Sequence, residues 1–103
     1  MKKRNEKIKK TIKQVCNVMG LKERQLFGKP HPTDVSLGRK LLFFILIKDQ
    51  ELRPCIVRSF IHIYSGRKFS HSTILMNVEK AEKKISKKDD EFTTLLSEIR
   101  EGL

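Results

Sequence analysis

Four consecutive residues, Ser70-His71-Ser72-Thr73, carry the most chemically versatile side chains of this 103-residue sequence. An imidazole beside hydroxyl groups suits either nucleophilic catalysis or hydrogen bonding to the edges of nucleic-acid bases. Catalysis needs a third group that orients the histidine, and adjacent residues of a helix do not face each other. No such group is placed near His71 in the sequence. We therefore expect that the protein is not an enzyme.

Residue types that bind metals are present, but their spacing matches no established site. The two cysteines, Cys16 and Cys55, form no C-x-x-C pair. A zinc site built from Cys55, His62 and His71 would have spacings outside the known patterns. We expect two free, partly buried thiols, as in a protein of a reducing compartment, and neither a metal nor another cofactor.

The charge balance indicates a polyanionic partner. The sequence has 23 Lys and Arg against 12 Asp and Glu, a net charge of +11 and a pI of about 10.0. Such a basic domain usually binds nucleic acid, and less often the ribosome or an anionic membrane. Residues 1–88 carry 22 basic and 7 acidic side chains, whereas residues 89–103 carry 1 and 5. The acidic end is expected to point away from the polyanion.

Features of secretion and membrane insertion are not apparent in the sequence. The N-terminal stretch MKKRNEKIKK has no apolar run after it, as a signal peptide requires. The longest apolar run, LLFFILI at residues 41–47, is too short for a transmembrane helix of about 20 residues. We expect a cytoplasmic, nucleoid-associated protein without membrane contact, and we favour a monomer.

Apolar residues recur at helical spacing along the sequence. Residues 1–6 are expected to form a basic, flexible arm, and residues 7–103 a single domain. A first helix is predicted over residues 7–19, with a stripe at Ile8, Ile12, Val15 and Met19. Residues 35–49 are apolar on all sides around LLFFILI, and no second strand is available for pairing. They therefore predict a central helix, with Thr33 or Asp34 as its N-cap.

Two further helices, over residues 54–63 and 70–86, are predicted on either side of a turn that contains Gly66. The first would bury Ile63 among other residues, and the second would start at a Ser70 cap. The inward stripe of the second is Ile74, Val78, Ala81 and Ile85, and its outward face carries Ser72, Met76, Lys80 and Lys83. A last helix would begin with a capping box at Ser86 and Asp89. We predict an all-α fold: a compact bundle of five to six helices with a helix-turn-helix.

The segment GRKFSHSTILMNVEKAEKKI resembles the signature of the C-terminal DNA-binding domain of the bacterial replication initiator DnaA. That family typically has Gly-Arg-Asp-His-Thr-Thr-Val-Leu before a basic helix, and residues 71–75 match its His-Thr-Thr-Val-Leu part. The segments IKKTIKQVCNVMGLKERQLFGK, LGRKLLFFILIKD, LRPCIVRSF and FTTLLSEI resemble the family's other helices in the same order. The resemblance covers residues 7–99. It implies a Trp-repressor-like fold that binds double-stranded DNA.

The resemblance also implies which residues contact DNA. Ser70, His71 and Ser72 would contact bases in the major groove, and Arg53 and Pro54 would lie at the groove edge. The backbone or minor groove would be contacted by Arg39, Lys40, Arg67, Lys68, Lys80 and Lys83. Simpler roles stay open for these residues: a helix cap for Ser70, an ion pair with Asp34 or Asp49 for Arg39, and a solvated surface for the lysines.

The sequence also departs from the family pattern. It has no Walker A motif, so ATP-driven melting of an origin is not implied. Ser70 replaces the family's acidic residue, Arg53 replaces an apolar one, and the segment between Phe60 and His71 is longer. The preferred DNA sequence is therefore expected to differ, and the process could be replication, transcription or control of a mobile element. Two other classes stay open: an RNA- or ribosome-associated helical module, and an adaptor that binds a protein through its acidic last helix.

Overall fold

The computed structural model describes residues 2–28 and 33–103, which form six α-helices and no strand. The helices are α1 (Lys2–Met19), α2 (Glu23–Leu26), α3 (Thr33–Phe44), α4 (Pro54–Ser65), α5 (His71–Ser86) and α6 (Asp90–Glu101). A π-helical segment, Ile45–Asp49, continues α3 without a break. The predicted all-α bundle of five to six helices is confirmed.

The centre of the bundle is α3, as the sequence predicted. All of residues 41–46 are buried, and α3 packs against α1, α2, α5 and α6. The π-helical segment was not predicted. Its wider turn is seen in the hydrogen bond from the Gln50 N–H to the Ile45 carbonyl, five residues earlier, at 2.9 Å. After it, the Leu52 N–H donates to the Leu46 carbonyl at 3.0 Å. None of the described helices combines the length and the apolarity needed to cross a membrane.

The first helix begins at Lys2, so the predicted boundary between an arm at 1–6 and a helix at 7 is wrong. Residues 2–7 are mostly Lys, Arg and Glu, which favour helix, and they include no Gly or Pro that would interrupt it. Ile8, Ile12 and Val15 are buried, which confirms the predicted stripe. The turn after α1 is made by Gly20, whose positive φ of 68° favours glycine.

Helix α4 is longer than predicted, and one of its residues lies on an unexpected side. Val57 and Ile61 are buried as expected, but Ile63 is 86% exposed, so its prediction as a core residue is wrong. Ile63 is two positions from Ile61, which turns its side chain away from the buried row. Gly66, with a φ of 79°, ends the helix, and its N–H donates to the His62 carbonyl at 2.9 Å.

The capping residue of α6 is Asp89, and the predicted capping box at Ser86 is wrong. Ser86 is the last residue of α5, and Asp89 Oδ1 accepts a hydrogen bond from the Phe92 N–H at 3.1 Å. This bond, together with Lys84, lowers the pKa of the Asp89 carboxyl. The predicted N-caps of α3, Thr33 and Asp34, are instead the first two residues of the helix, which begins at Thr33. Residues 29–32, before it, are not described.

The two cysteines are free and have different surroundings. Cys16 is buried in the core, whereas Cys55 is exposed on α4. Burial, with a smaller contribution from the charge of Glu23, raises the pKa of the Cys16 thiol to about 11. Cys16 is therefore protonated near neutral pH and behaves as a small apolar core residue.

Candidate nucleic-acid interface

The short turn between α4 and α5 is fixed by one aromatic side chain. Phe69 is buried, and its ring packs edge-on against Phe43 at 5.4 Å and Phe27 at 6.3 Å between centroids. These contacts attach the turn to α3 and to the chain that follows α2. The direction of α5 is thus set by the core, because Phe69 directly precedes its N-cap.

The first turn of α5 exposes the polar residues that the sequence singled out. Ser70 Oγ accepts a hydrogen bond from the Thr73 N–H at 3.0 Å, which confirms the predicted N-cap. Ser70, His71 and Ser72 are all exposed. The side chains of His71 and Ser72 make no hydrogen bond to another described residue, so their polar atoms are free to bind a ligand.

The outward face of α5 is the one that the sequence predicted. Ile74, Val78 and Ala81 are buried, and Ile85 is half-buried. Met76 is half-exposed, and Lys80 and Lys83 are exposed on the opposite side. Lys83 Nζ lies 3.7 Å from a Glu79 carboxylate oxygen. Both side chains are well solvated, so this ion pair contributes little to stability and can be exchanged for another contact.

Three lysines lie near one another along α5: Lys80 and Lys84 of α5 itself and Lys40 of α3. Burial, and the nearby charges of Lys84 and Lys80, lower the pKa of Lys40. Lys40 Nζ donates to Ser36 Oγ at 2.9 Å, and Lys84 Nζ lies 3.3 Å from Asp89 Oδ2. Lys80 forms no ion pair with a described residue. The three ammonium groups repel one another, so an anion beside them would be stabilised.

The tip of α5 borders a second basic feature, which was not predicted from the sequence. A cleft of about 530 Å³ is lined by Arg58, Ser59, His62, Lys68, Phe69 and Ser70. Arg58 and His62 are four residues apart and therefore share one side of α4. That spacing could have been noticed in the sequence. Their proximity to Ser70 could not, because it depends on how the turn folds back along α4.

Arg39, predicted to contact DNA, is held within the fold by hydrogen bonds to the protein itself. Its side chain is buried: Nε donates to the Leu26 carbonyl and Nη2 to the Gly28 carbonyl, both at 2.7 Å. The expected alternative, an ion pair with Asp34 or Asp49, is wrong, since Asp49 pairs with Arg100 at 2.7 Å. Burial, and then the charge of Arg67, lower the pKa of Arg39.

The two residues before Phe69 differ in their surroundings. The Arg67 guanidinium lies 5.3 Å from the centre of the Phe69 ring, and that of Arg39 lies 5.2 Å from it. Arg67 is half-buried, and its Nε is buried without a hydrogen-bond partner among the described residues. Lys68 is exposed in the cleft. Both residues directly precede Phe69 and the tip of α5, and their contact with DNA stays a prediction.

Arg53 and Pro54 lie at the far end of α4 from the turn. Arg53 is its exposed N-cap residue and Pro54 occupies its first position. The 12 residues of α4 span about 18 Å. Neither residue lines the cleft at Ser70. A ligand that contacts them as well as the α5 tip must therefore extend along α4.

Arg39→Met should lower the free energy of unfolding by about 1–3 kcal/mol, because two buried carbonyl groups lose a charged donor. Urea denaturation followed by circular dichroism measures the change. Arg53→Met, at an exposed position, is the control and should unfold like the parent. If Arg39→Met instead keeps full stability and weakens DNA binding, Arg39 contacts DNA and the structural role is wrong.

Comparisons with protein-family models, with curated proteins and with solved structures find no match to this chain. Within residues 2–28 and 33–103, no three His, Cys, Asp or Glu side chains come close enough together to hold a metal ion. The function is therefore inferred from the geometry and charge around α5.

Proposed function

We propose that this protein binds double-stranded DNA through α4 and α5, which form a helix-turn-helix with α5 as the recognition helix. The observation that carries the proposal is the exposed tip of α5, where His71 and Ser72 have no partner among the described residues and a cleft lined by Arg58 and Lys68 borders Ser70. Hydroxyl and imidazole groups can donate to or accept from base edges, and the N-terminal residues of a recognition helix are the ones that contact bases.

Two groups of cations near α5 can contact the phosphates that border the major groove. A groove about 12 Å wide accepts one α-helix, so a phosphate backbone passes along each side of that helix. Lys40 and Lys80 lie near each other along α5, and Arg58 and Lys68 line the cleft beside Ser70. In this arrangement the cations position the helix, and the tip supplies sequence preference.

The resemblance of residues 7–99 to the C-terminal domain of DnaA supports the same function. By that resemblance the protein acts at the bacterial nucleoid, in control of replication or transcription, and has no catalytic role. Ser70 and Arg53 differ from the family's residues, so the preferred DNA sequence differs from that of the initiator.

Competition between nucleic acids tests the proposal against its RNA-binding alternative. A labelled duplex bound to the protein is challenged with unlabelled duplex, with single-stranded DNA of the same sequence, and with structured RNA. Duplex should displace the label at the lowest concentration, and binding should weaken steeply with salt as counterions are released. Preferential displacement by RNA would contradict the proposal, as would binding that is independent of salt.

Lys80→Ala should weaken binding to all duplexes about equally, because Lys80 is assigned to a phosphate. Each phosphate contact adds about 0.9 to the slope of log K against log salt concentration, so the slope should become shallower by about 1. Titrations by fluorescence anisotropy at several salt concentrations measure it. Lys10→Ala, on the exposed side of α1, is the matched control and should keep the parent slope. A change in sequence preference would mean that Lys80 contacts a base.

A further inference from the structure

The two flanks of α4 differ in chemistry. The flank beside α5 carries Arg58 and His62, which line the basic cleft. The other flank carries Ile56, Phe60 and Ile63, spaced so that they form one apolar row along the helix. Ile56 and Phe60 are half-buried and Ile63 is 86% exposed. This second flank has no part in the proposed contact with DNA.

The apolar row forms one wall of a groove of about 670 Å³ between α4 and the N-terminal half of α1. Two of its lining residues hold each other in place: the Phe60 ring stacks on Tyr64 at 5.4 Å, and the Tyr64 hydroxyl donates to Glu23 Oε1. That hydrogen bond is the main cause of the rise in the pKa of Tyr64 to about 12, so Tyr64 remains a neutral donor. The groove is therefore preformed, which lowers the entropic cost of binding.

The edge of the groove is basic. Arg4 and Lys9 of α1 line it, and none of its lining residues is acidic. A ligand that fills the groove thus matches it with apolar side chains against α4 and negative charge against Lys9 of α1. We propose that the groove binds an acidic amphipathic helix of a partner protein. This is a function beyond DNA binding, on a different surface.

The chemistry of the groove favours this ligand over two others. A nucleic-acid backbone would pair with Lys9 but would gain nothing from Phe60 and Ile63. A second copy of this chain offers an acidic helix, α6, but the apolar side of α6 is already buried in its own core through Phe92, Leu96 and Ile99. An amphipathic helix supplies both properties and is a common ligand for apolar grooves.

A synthetic peptide can test the proposal on the full-length protein. The peptide is about 15 residues long and has Leu at i, i+4 and i+7, with Glu and Asp at most other positions. In ¹H–¹⁵N spectra of the protein, its addition should shift the amide signals of residues around Ile56, Phe60 and Ile63. A peptide of the same composition with its leucines distributed around the helix should bind more weakly by about 10-fold or more, because it cannot bury them together.

Two exposed apolar residues provide matched variants. Ile63→Glu should weaken peptide binding by about 10-fold or more and leave duplex binding within about 2-fold of the parent. Met76→Glu, at the half-exposed position on α5, should weaken duplex binding and leave peptide binding unchanged. Melting curves check that both variants fold. If Ile63→Glu alters the melting temperature, the variant Lys9→Glu is tested in place of Ile63→Glu and should also weaken peptide binding.

Several results would overturn the proposal. Equal binding of the two peptides would show that only charge attracts them. Shifts centred on α5 would place the peptide at the DNA-binding surface. Loss of duplex binding in Ile63→Glu would assign the groove to nucleic acid, and a dimer that Ile63→Glu dissociates would assign it to a second copy. If the protein does not bind duplex but still binds the peptide, only the proposed DNA-binding function is contradicted.

Discussion

Val78→Asp should unfold the domain, or lower its free energy of unfolding by roughly 4 kcal/mol or more, because it buries an unpaired charge. Val78 is 4% exposed and belongs to the buried stripe of α5. Among the described buried residues the only cation is Arg39, which is already bonded to the carbonyls of Leu26 and Gly28. The loss is comparable with the whole stability of many small domains, which starts at about 5 kcal/mol.

Thermal denaturation followed by circular dichroism measures this effect. Met76→Asp is the control, since Met76 lies two residues away on the same helix and is 50% exposed. It should melt within a few degrees of the parent, as expected of a surface substitution. If Val78→Asp melts like the parent, the buried side of α5 is assigned wrongly, and Ser72 and Met76 do not face outward.

His71→Ala should weaken binding to the preferred duplex by about 5- to 100-fold, because one good base contact contributes about 1–3 kcal/mol. Binding to a scrambled duplex should change little, since it depends on Lys and Arg contacts to phosphates. The melting temperature should also change little, because His71 is an exposed residue of the first turn and has no partner among the described residues.

Anisotropy titrations with the two duplexes and a melting curve distinguish the possible roles of His71. An equal loss on both duplexes would mean that His71 contacts only the backbone. A large fall in the melting temperature would make it a structural residue. Unchanged binding to both duplexes would mean that the tip of α5 does not enter the groove as proposed.

The register of α5 could be predicted because the information is local. The spacing of Ile74, Val78 and Ala81 gives a single buried side, and Ser70 before the helix has the side chain that caps it. The central position of α3 followed from its continuous apolar run in the same way. Ile63 was grouped with Val57 and Ile61 because all three are apolar, although its position two residues from Ile61 turns it away from the buried row.

The features that could not be predicted depend on contacts between distant segments. Arg39 has a favourable position for DNA in the sequence, but the carbonyls that hold it belong to Leu26 and Gly28, before the start of α3. Similarly, Arg58 approaches Ser70 only because Phe69 attaches the turn to Phe27 and Phe43. Single-sequence patterns describe individual helices and do not show these arrangements.

Selection of bound sequences from a random duplex library, with the parent and with His71→Ala in parallel, tests the central claim most directly. If the tip of α5 contacts bases, the parent should enrich a short motif, and His71→Ala should lose preference at one or two positions of that motif while the remaining positions persist. If the parent protein enriches no motif from the library, sequence-specific binding is contradicted. An enriched motif that His71→Ala leaves unchanged would contradict the assignment of base contacts to the first turn of α5.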